Sequence, residues 1–196
     1  MNNPEKLYGL ILAGGFSRRM GQDKSLMRYH GKPQVEFVYD LLGQFCSKVF
    51  LSKRTDQSSY NTIPFINDDS NFSGIGPLGG ILSAMKAYPG VSWIVMACDL
   101  PFVTPETLQT LVNQRDPFKI ATAFKSSHDG LPEPLCAVWE GEGYKKILEY
   151  FQQGMQCPRK ILIKGNSHLI EQSDLQWLDN INDLKEYEKV IKRRMK

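Results

Sequence analysis

Leu7-Tyr8-Gly9-Leu10-Ile11-Leu12-Ala13-Gly14-Gly15-Phe16-Ser17-Arg18-Arg19-Met20-Gly21-Gln22-Asp23-Lys24 is the stretch that decides how this chain folds. Leu7 to Leu12 has the composition of a buried parallel strand, and the glycines begin where such a strand delivers the chain to a ligand crevice. Gly14, Gly15 and Gly21 lack a Cβ, so backbone N–H groups there can approach an anion closely. Arg18, Arg19 and Lys24 add charge that fixed amides cannot supply, Arg as a fork for phosphate and Lys as a point contact on a phosphoryl oxygen. A lone Gly-Gly pair reads as an ordinary strand-to-helix turn, whereas three cations in the same short loop turn the reading toward a triphosphate grip. The glycine spacing is not G-x-G-x-x-G, and the loop lacks the G-K-[ST] ending of a P-loop.

Beyond this loop, apolar runs and helix-like stretches alternate, the pattern of a parallel sheet wrapped by crossover helices. Strands are expected at Leu7 to Leu12, Lys48 to Leu51, Ile63 to Ile66, Trp93 to Ala97, Ile120 to Phe124 and Leu135 to Trp139. Helices are expected at Gln34 to Phe45, Gly79 to Tyr88, Pro105 to Asn113, Glu142 to Gln153 and Asp183 to Lys192. A length of 196 residues suits one well-buried α/β domain over 1–196. Thr104-Pro105-Glu106-Thr107 puts an N-cap before a proline, so a helix starts there and the strand from Trp93 ends at a turn holding Asp99. In an open α/β sheet ligands bind at the carboxyl ends of strands, so the loops after Leu12, Ile66 and Ala97 are expected to share one site.

Asp99 closes an apolar run, where a carboxylate needs a partner. A magnesium ion bridging it to phosphates would supply one; an Asx turn or a cap for the next helix is the alternative. Asp68-Asp69-Ser70 precedes Gly74-Ile75-Gly76-Pro77-Leu78-Gly79-Gly80, and the segment reads as a second ligand loop or as a solvated turn capping the helix. In the first reading the glycines let a base or ribose lie against backbone while Asp69 accepts hydrogen bonds. His128, Asp129 and Glu133 sit in a proline- and glycine-containing loop that would border a second substrate, although polar loops contain such residues by default. Cys157-Pro158-Arg159-Lys160 and Asn180-Ile181-Asn182 lie near element starts where cations or amides meet phosphates.

The formal charge of +3 is a weak excess concentrated in Lys189, Lys192, Arg193, Arg194 and Lys196, with no aromatic platform beside it, which disfavours nucleic-acid binding. The four cysteines form no C-x-x-C pair and fit a reducing compartment. No apolar segment approaches bilayer-spanning length, so a soluble cytoplasmic protein with no membrane association is expected. His30, His128 and His168 are too scattered for a metal cluster, and no Ser-His-Asp order emerges.

Leu12-Ala13-Gly14-Gly15 through Arg19-Met20-Gly21-Gln22-Asp23-Lys24 resembles the signature L-A-G-G-x-S-x-R-M-G-x-D-K of nucleotidyltransferases that activate sugars, cofactors and lipid precursors, and its D-K ending is most similar to the molybdenum cofactor guanylyltransferase family. Cys98-Asp99-Leu100-Pro101 matches that family's C-D-x-P, and Gly76-Pro77-Leu78-Gly79-Gly80 matches its G-P-L-x-G. Asn180 and Asn182 keep its N-x-N, while Asp183 departs from the Thr-Pro that usually follows. The resemblance implies a three-layer α/β/α fold of the Rossmann-like nucleotide-diphospho-sugar transferase type with a mostly parallel sheet. It implies nucleotide contacts from Leu12, Ala13, Gly14, Gly15, Lys24, Asp69 and Asp99, Mg2+ held by Asp99, and catalytic roles for Arg19, Lys24 and Asp99. The implied reaction joins GMP from GTP to molybdenum-bound molybdopterin. The implied assembly is a monomer or weak homo-oligomer that meets a molybdopterin-delivering protein and a molybdoenzyme. Cytidylyl transfer to the same pterin, nucleotidyl transfer to a sugar phosphate and a nucleotide-binding regulatory protein are the competing readings. The residues by themselves reach only a nucleotide-binding α/β enzyme acting on phosphates.

Overall fold

The computed structural model describes residues 6–13, 24–53 and 63–181, with Lys24 and Lys53 described by their backbone only. Strand β1 (Leu7–Leu12) is parallel to β2 (Lys48–Lys53) on one side and to β4 (Ser92–Ala97) on the other. The sheet continues outward from β2 to β3 (Phe65–Asn67), and from β4 through β6 (Pro132–Trp139) and β5 (Ala121–Lys125) to β7 (His168–Ile170). The order in this seven-stranded sheet is β3-β2-β1-β4-β6-β5-β7, and β6 runs antiparallel to both of its neighbours.

Helices cover both faces, which makes the molecule three-layered as the resemblance implied. All six residues of β4 are buried, with Ile94 and Met96 in one core and Trp93 and Val95 in the other. Against the first core lies α1 (Gln34–Leu42), whose Val35, Val38, Leu41 and Leu42 recur at helical spacing, together with α3 (Pro105–Asn113) through Leu108 and Leu111. Against the second lie α2 (Pro77–Ala87), α4 (Tyr144–Gln152) and α5 (Pro158–Lys164), which supply Ile81, Ile147 and Ile161 among others. Each fully buried Leu, Ile or Val contributes about 1.5–3 kcal/mol, so the alternation along β4 drives both layers onto the sheet.

Several expected boundaries shift for local reasons. Strand β3 begins at Phe65 rather than Ile63, because Pro64 has no N–H and takes part only as acceptor, from the Leu51 N–H at 2.8 Å. Helix α1 stops at Leu42, with Gly43 as its C-cap, instead of running to Phe45. Helix α2 begins at Pro77, two residues earlier than expected, since proline is preset for the first helical position and Gly76 enters it at φ +72°. A 3-10 turn over Gly141–Gly143 precedes α4, so the expected helix from Glu142 starts at Tyr144. Strand β6 starts at Pro132 rather than Leu135; Pro134 is accommodated because pairing with β4 starts only at Cys136 and the β5–β6 ladder shifts register between Ala123 and Lys125. Helix α5 and strand β7 were not expected. The expected helix at Asp183 to Lys192 lies outside the described residues.

Candidate active site

Strands β1 and β4 are where the chain's progress across the sheet reverses: from β1 it moves outward to β2 and β3, then returns to place β4 on β1's other side. Such a switch point opens a crevice at the carboxyl ends of the two strands. Leu12 pairs with Ala97, and the Cys98 N–H donates to the Leu12 carbonyl at 3.3 Å, so the chain at Leu12 and the Asp99 loop leave the sheet side by side.

The chain after Lys24 is stitched to the Asp99 loop. His30 Nε2–H donates to the Pro101 carbonyl at 3.0 Å, with the His30 ring stacked on Phe37 at 3.5 Å. Met27, Tyr29 and Ile181 form a small core against Phe102, and the Ile181 N–H donates to the Asp99 carbonyl at 3.2 Å. Three segments distant in sequence therefore meet at Asp99: the residues after Lys24, the loop after β4, and the segment that includes Ile181. Ala13 is buried beside them, and Leu12 is half-buried. Gly14, Gly15, Arg18, Arg19, Gly21, Asn182 and the Lys24 side chain lie outside the described residues.

Half-buried Asp99 lines a cavity of about 290 Å³ whose other walls include Pro77, Glu133, Pro134, Arg159, Leu178 and Asn180. Thr104, not Asp99, caps α3: its Oγ1 accepts from the Thr107 N–H at 3.3 Å and Thr107 Oγ1 accepts from the Thr104 N–H at 3.1 Å. The capping alternative for Asp99 thus falls away. Among the described residues no cluster of three or more His, Cys, Asp or Glu is arranged to hold a metal. A strand-end carboxylate at a cavity wall fits magnesium, which takes one or two carboxylates and completes its octahedron with water and substrate phosphates.

The loop after Ile66, expected to share one site with those after Leu12 and Ala97, carries Asp69 farther out on the sheet. It follows β3, and β2 and β1 lie between β3 and β4, so Asp69 and Asp99 are not on neighbouring strand ends. At ~4.8 Å per strand the two ends are roughly 14 Å apart, a span suited to an extended ligand. Asp69 caps the 3-10 turn Ser70–Phe72, accepting from the Asn71 N–H at 2.9 Å, and its other oxygen accepts from Lys86 Nζ at 2.6 Å. The helix that follows, α2, is capped not by Asp69 but at Gly76, which offers no side-chain bond. Gly79 and Gly80 do not lie open to a ligand: both are buried, and a Cβ on Gly79 would stand 2.3 Å from the Phe72 carbonyl oxygen. Their lack of a side chain lets α2 close onto the sheet ends.

Lys86, and after it the Asn71 amide, hold the Asp69 carboxyl below its ordinary value of 3.8. Because the folded value is the lower one, this stabilising contribution is present above about pH 4 and fades as pH falls through the folded value. Lys86→Met is expected to move the Asp69 midpoint upward toward 3.8, read from its carboxyl carbon by NMR; an unmoved midpoint would assign the effect to Asn71 alone.

The far wall was only partly visible in the sequence. Arg159, in the first turn of α5, donates from Nη2 to Glu133 Oε1 at 2.7 Å and from Nη1 to Asp129 Oδ2 at 3.1 Å. His128, exposed, pairs with Asp179 at 3.0 Å, next to Asn180. Pro158 at the first helical position and Gly165 after the last were the signals from which α5 could have been read. Burial pushes the Cys136 thiol up to about 12, which favours the protonated form of this cavity-lining cysteine.

A parallel strand at the switch point that runs into a glycine-rich sequence, beside an aspartate after the adjacent strand, is an arrangement of the phosphate-handling α/β class. The chain belongs to the MobA-like NTP transferase family, whose domain matches residues 9–169, and it is a nucleotidyltransferase. It is 37% identical over 184 residues to the molybdenum cofactor biosynthesis bifunctional protein of Synechocystis, covering 92% of this chain and 52% of that protein, so it spans about half of that relative's length. It is 28% identical over 190 residues to a probable molybdenum cofactor guanylyltransferase of Bacillus cereus, covering 93% of this chain and 94% of the relative. Molybdopterin-guanine dinucleotide biosynthesis protein A from Archaeoglobus fulgidus shares the fold, with a TM-score of 0.77 at 23% identity over 96% of this chain and 98% of that one.

Proposed function

We propose that residues 1–196 act as one nucleotidyltransferase domain that transfers GMP from GTP to the phosphate of molybdenum-bound molybdopterin and releases pyrophosphate. The observation that carries this reading is the pairing of Leu12 with Ala97, which brings the end of β1, where the glycine-rich sequence begins, next to the strand end that leads to cavity-lining Asp99. The guanylyltransferase relatives support the choice of substrates.

In this reading an oxygen of the acceptor phosphate attacks the α-phosphorus of GTP while the bond from that phosphorus to pyrophosphate breaks. An ionised phosphate is the nucleophile, so the protein's work is alignment and charge neutralisation rather than proton transfer. The amides of Gly14 and Gly15 cradle the triphosphate next to Leu12 and Ala13, Arg19 and Lys24 neutralise it, and Asp69 serves the nucleoside from the end of β3. Asp99 holds magnesium, which when bound screens the phosphate charges. Arg159 and Asn180 face the acceptor from the opposite wall. No helix among the described residues is long and apolar enough to cross a membrane, and the proposed setting is cytoplasmic, as a monomer or weak homo-oligomer, between a molybdopterin-delivering protein and an acceptor molybdoenzyme.

Pyrophosphate release with magnesium and the pterin acceptor, measured in parallel with GTP, CTP, UTP and ATP, tests the assignment. GTP is expected to be preferred. A preference for CTP would overturn the guanylyl reading, and nucleotide binding without any release would favour a regulatory binder.

A further inference from the structure

Arg159 is the one cation among the described residues lining the cavity, whose other charged walls are Asp99 and Glu133. Its side chain is long and about one-third exposed, at 33%, so without partners it would sample many rotamers. Two carboxylates prevent that. Glu133, the second residue of β6, takes Nη2 at 2.7 Å, and Asp129 takes Nη1 at 3.1 Å from the hairpin before it. That hairpin is itself fixed: the Ser126 N–H donates to the Leu131 carbonyl at 2.8 Å, the Gly130 N–H to the Ser126 carbonyl at 2.9 Å, and the Leu131 N–H to Asp129 Oδ1 at 3.0 Å. Asp129 therefore splits its oxygens, one closing the turn and the other reaching Arg159. A guanidinium has five N–H donors, and these two contacts leave several for a ligand.

We infer that Glu133, with Asp129 as the second arm, is a positioning residue that fixes the Arg159 guanidinium at the cavity wall as the anion contact for the acceptor's phosphate. The inference rests on the proposed function for the identity of the acceptor. A dianionic phosphate entering beside Asp99 and Glu133 requires a cation in a set place, and an ordered fork loses less entropy on binding than a free one. Glu133 also puts a negative charge near the incoming anion, so holding Arg159 and repelling phosphate pull in opposite directions. Because the Arg159 guanidinium at 2.7 Å already offsets much of the Glu133 charge, the holding effect is the larger.

Glu133→Ala and Glu133→Gln separate these effects, because Gln keeps an acceptor oxygen for Arg159 while removing the charge. Glu133→Ala is expected to raise KM for the acceptor about tenfold, the equivalent of one charge-assisted hydrogen bond, and to leave kcat and KM for the nucleotide within about twofold. Glu133→Gln is expected to recover most of that loss. A lower acceptor KM in either variant would show that repulsion dominates and would overturn the inference, as would equal changes in both KM values. A second arm needs no substrate: the Arg159 Nε–H order parameter from 15N relaxation should be high in the unaltered protein, fall in Glu133→Ala and return in Glu133→Gln. An order parameter unchanged by Glu133→Ala overturns the positioning role whatever the reaction. Absence of turnover in the unaltered protein, with the relaxation result as expected, would instead count against the proposed acceptor.

Discussion

Asp99→Asn is expected to lower pyrophosphate release by on the order of 10²–10³-fold, the scale of losing one preorganised electrostatic contact to the reacting group. The substitution keeps the shape of the side chain and removes its charge, and Asp99 is half-buried at a turn rather than locked in a core. The Asp99 main-chain carbonyl, which takes the Ile181 N–H at 3.2 Å, is untouched, so the convergence of the three segments survives. Unfolding free energy should therefore change by less than about 1 kcal/mol. Steady-state pyrophosphate release alongside a denaturant melt makes the comparison. Retained turnover would remove Asp99 from the metal and phosphate chemistry, and an equal loss of stability and activity would reduce it to a structural residue.

The largest stability effect is expected far from that crevice. At the opposite end of β4, Glu140 is 1% exposed and accepts from Arg115 Nε at 2.8 Å and Nη2 at 2.6 Å. Ser92 Oγ completes the cluster, donating to Glu140 Oε2 at 2.8 Å while accepting from Arg115 Nη2 at 2.9 Å and from the Gly141 N–H at 3.1 Å. Glu140→Ala takes the Glu140 carboxylate from the poorly solvated Arg115 guanidinium and takes away the acceptor of Ser92. A loss of ~3–5 kcal/mol follows from breaking a buried pair on one side only. At roughly 2–4 °C per kcal/mol for a chain of this size, Tm should fall by about 10 °C. Pairing Glu140→Leu with Arg115→Met should recover much of the loss, because the Arg115 charge disappears as well. Turnover per folded molecule should persist, since the six residues of β4 put roughly 20 Å between Ser92 and Asp99. A loss below about 1 kcal/mol would show that water reaches Arg115 once Glu140 is gone.

The elements legible in the sequence were those whose signals are local. The run Leu7–Leu12 and the Thr104-Pro105 helix start appear in the structure with the expected boundaries because composition and capping act over a few residues. The direction of β6 was less visible. The connection from Lys125 to Pro132 is too short for a parallel crossover, which needs about a dozen residues, so the chain must turn back as a hairpin. Helix α5 has only seven residues, too few for a periodic apolar face to stand out. At the site, the glycine-rich loop and Asp99 declared themselves as strand-end chemistry, whereas the glycines before and within α2 had two readings until packing against Phe72 decided one of them.

By itself the sequence determined that a buried strand over Leu7–Leu12 runs into a glycine-rich stretch and that a second strand gives way to a turn holding Asp99. Both follow from short-range composition. Tertiary structure alone decided that Asp69 is held by Lys86, that two strands separate it from Asp99, and that Arg159 is clamped by Glu133 and Asp129. Those contacts join residues 17 to 30 positions apart, and only the order in which strands enter the sheet brings them within hydrogen-bond reach.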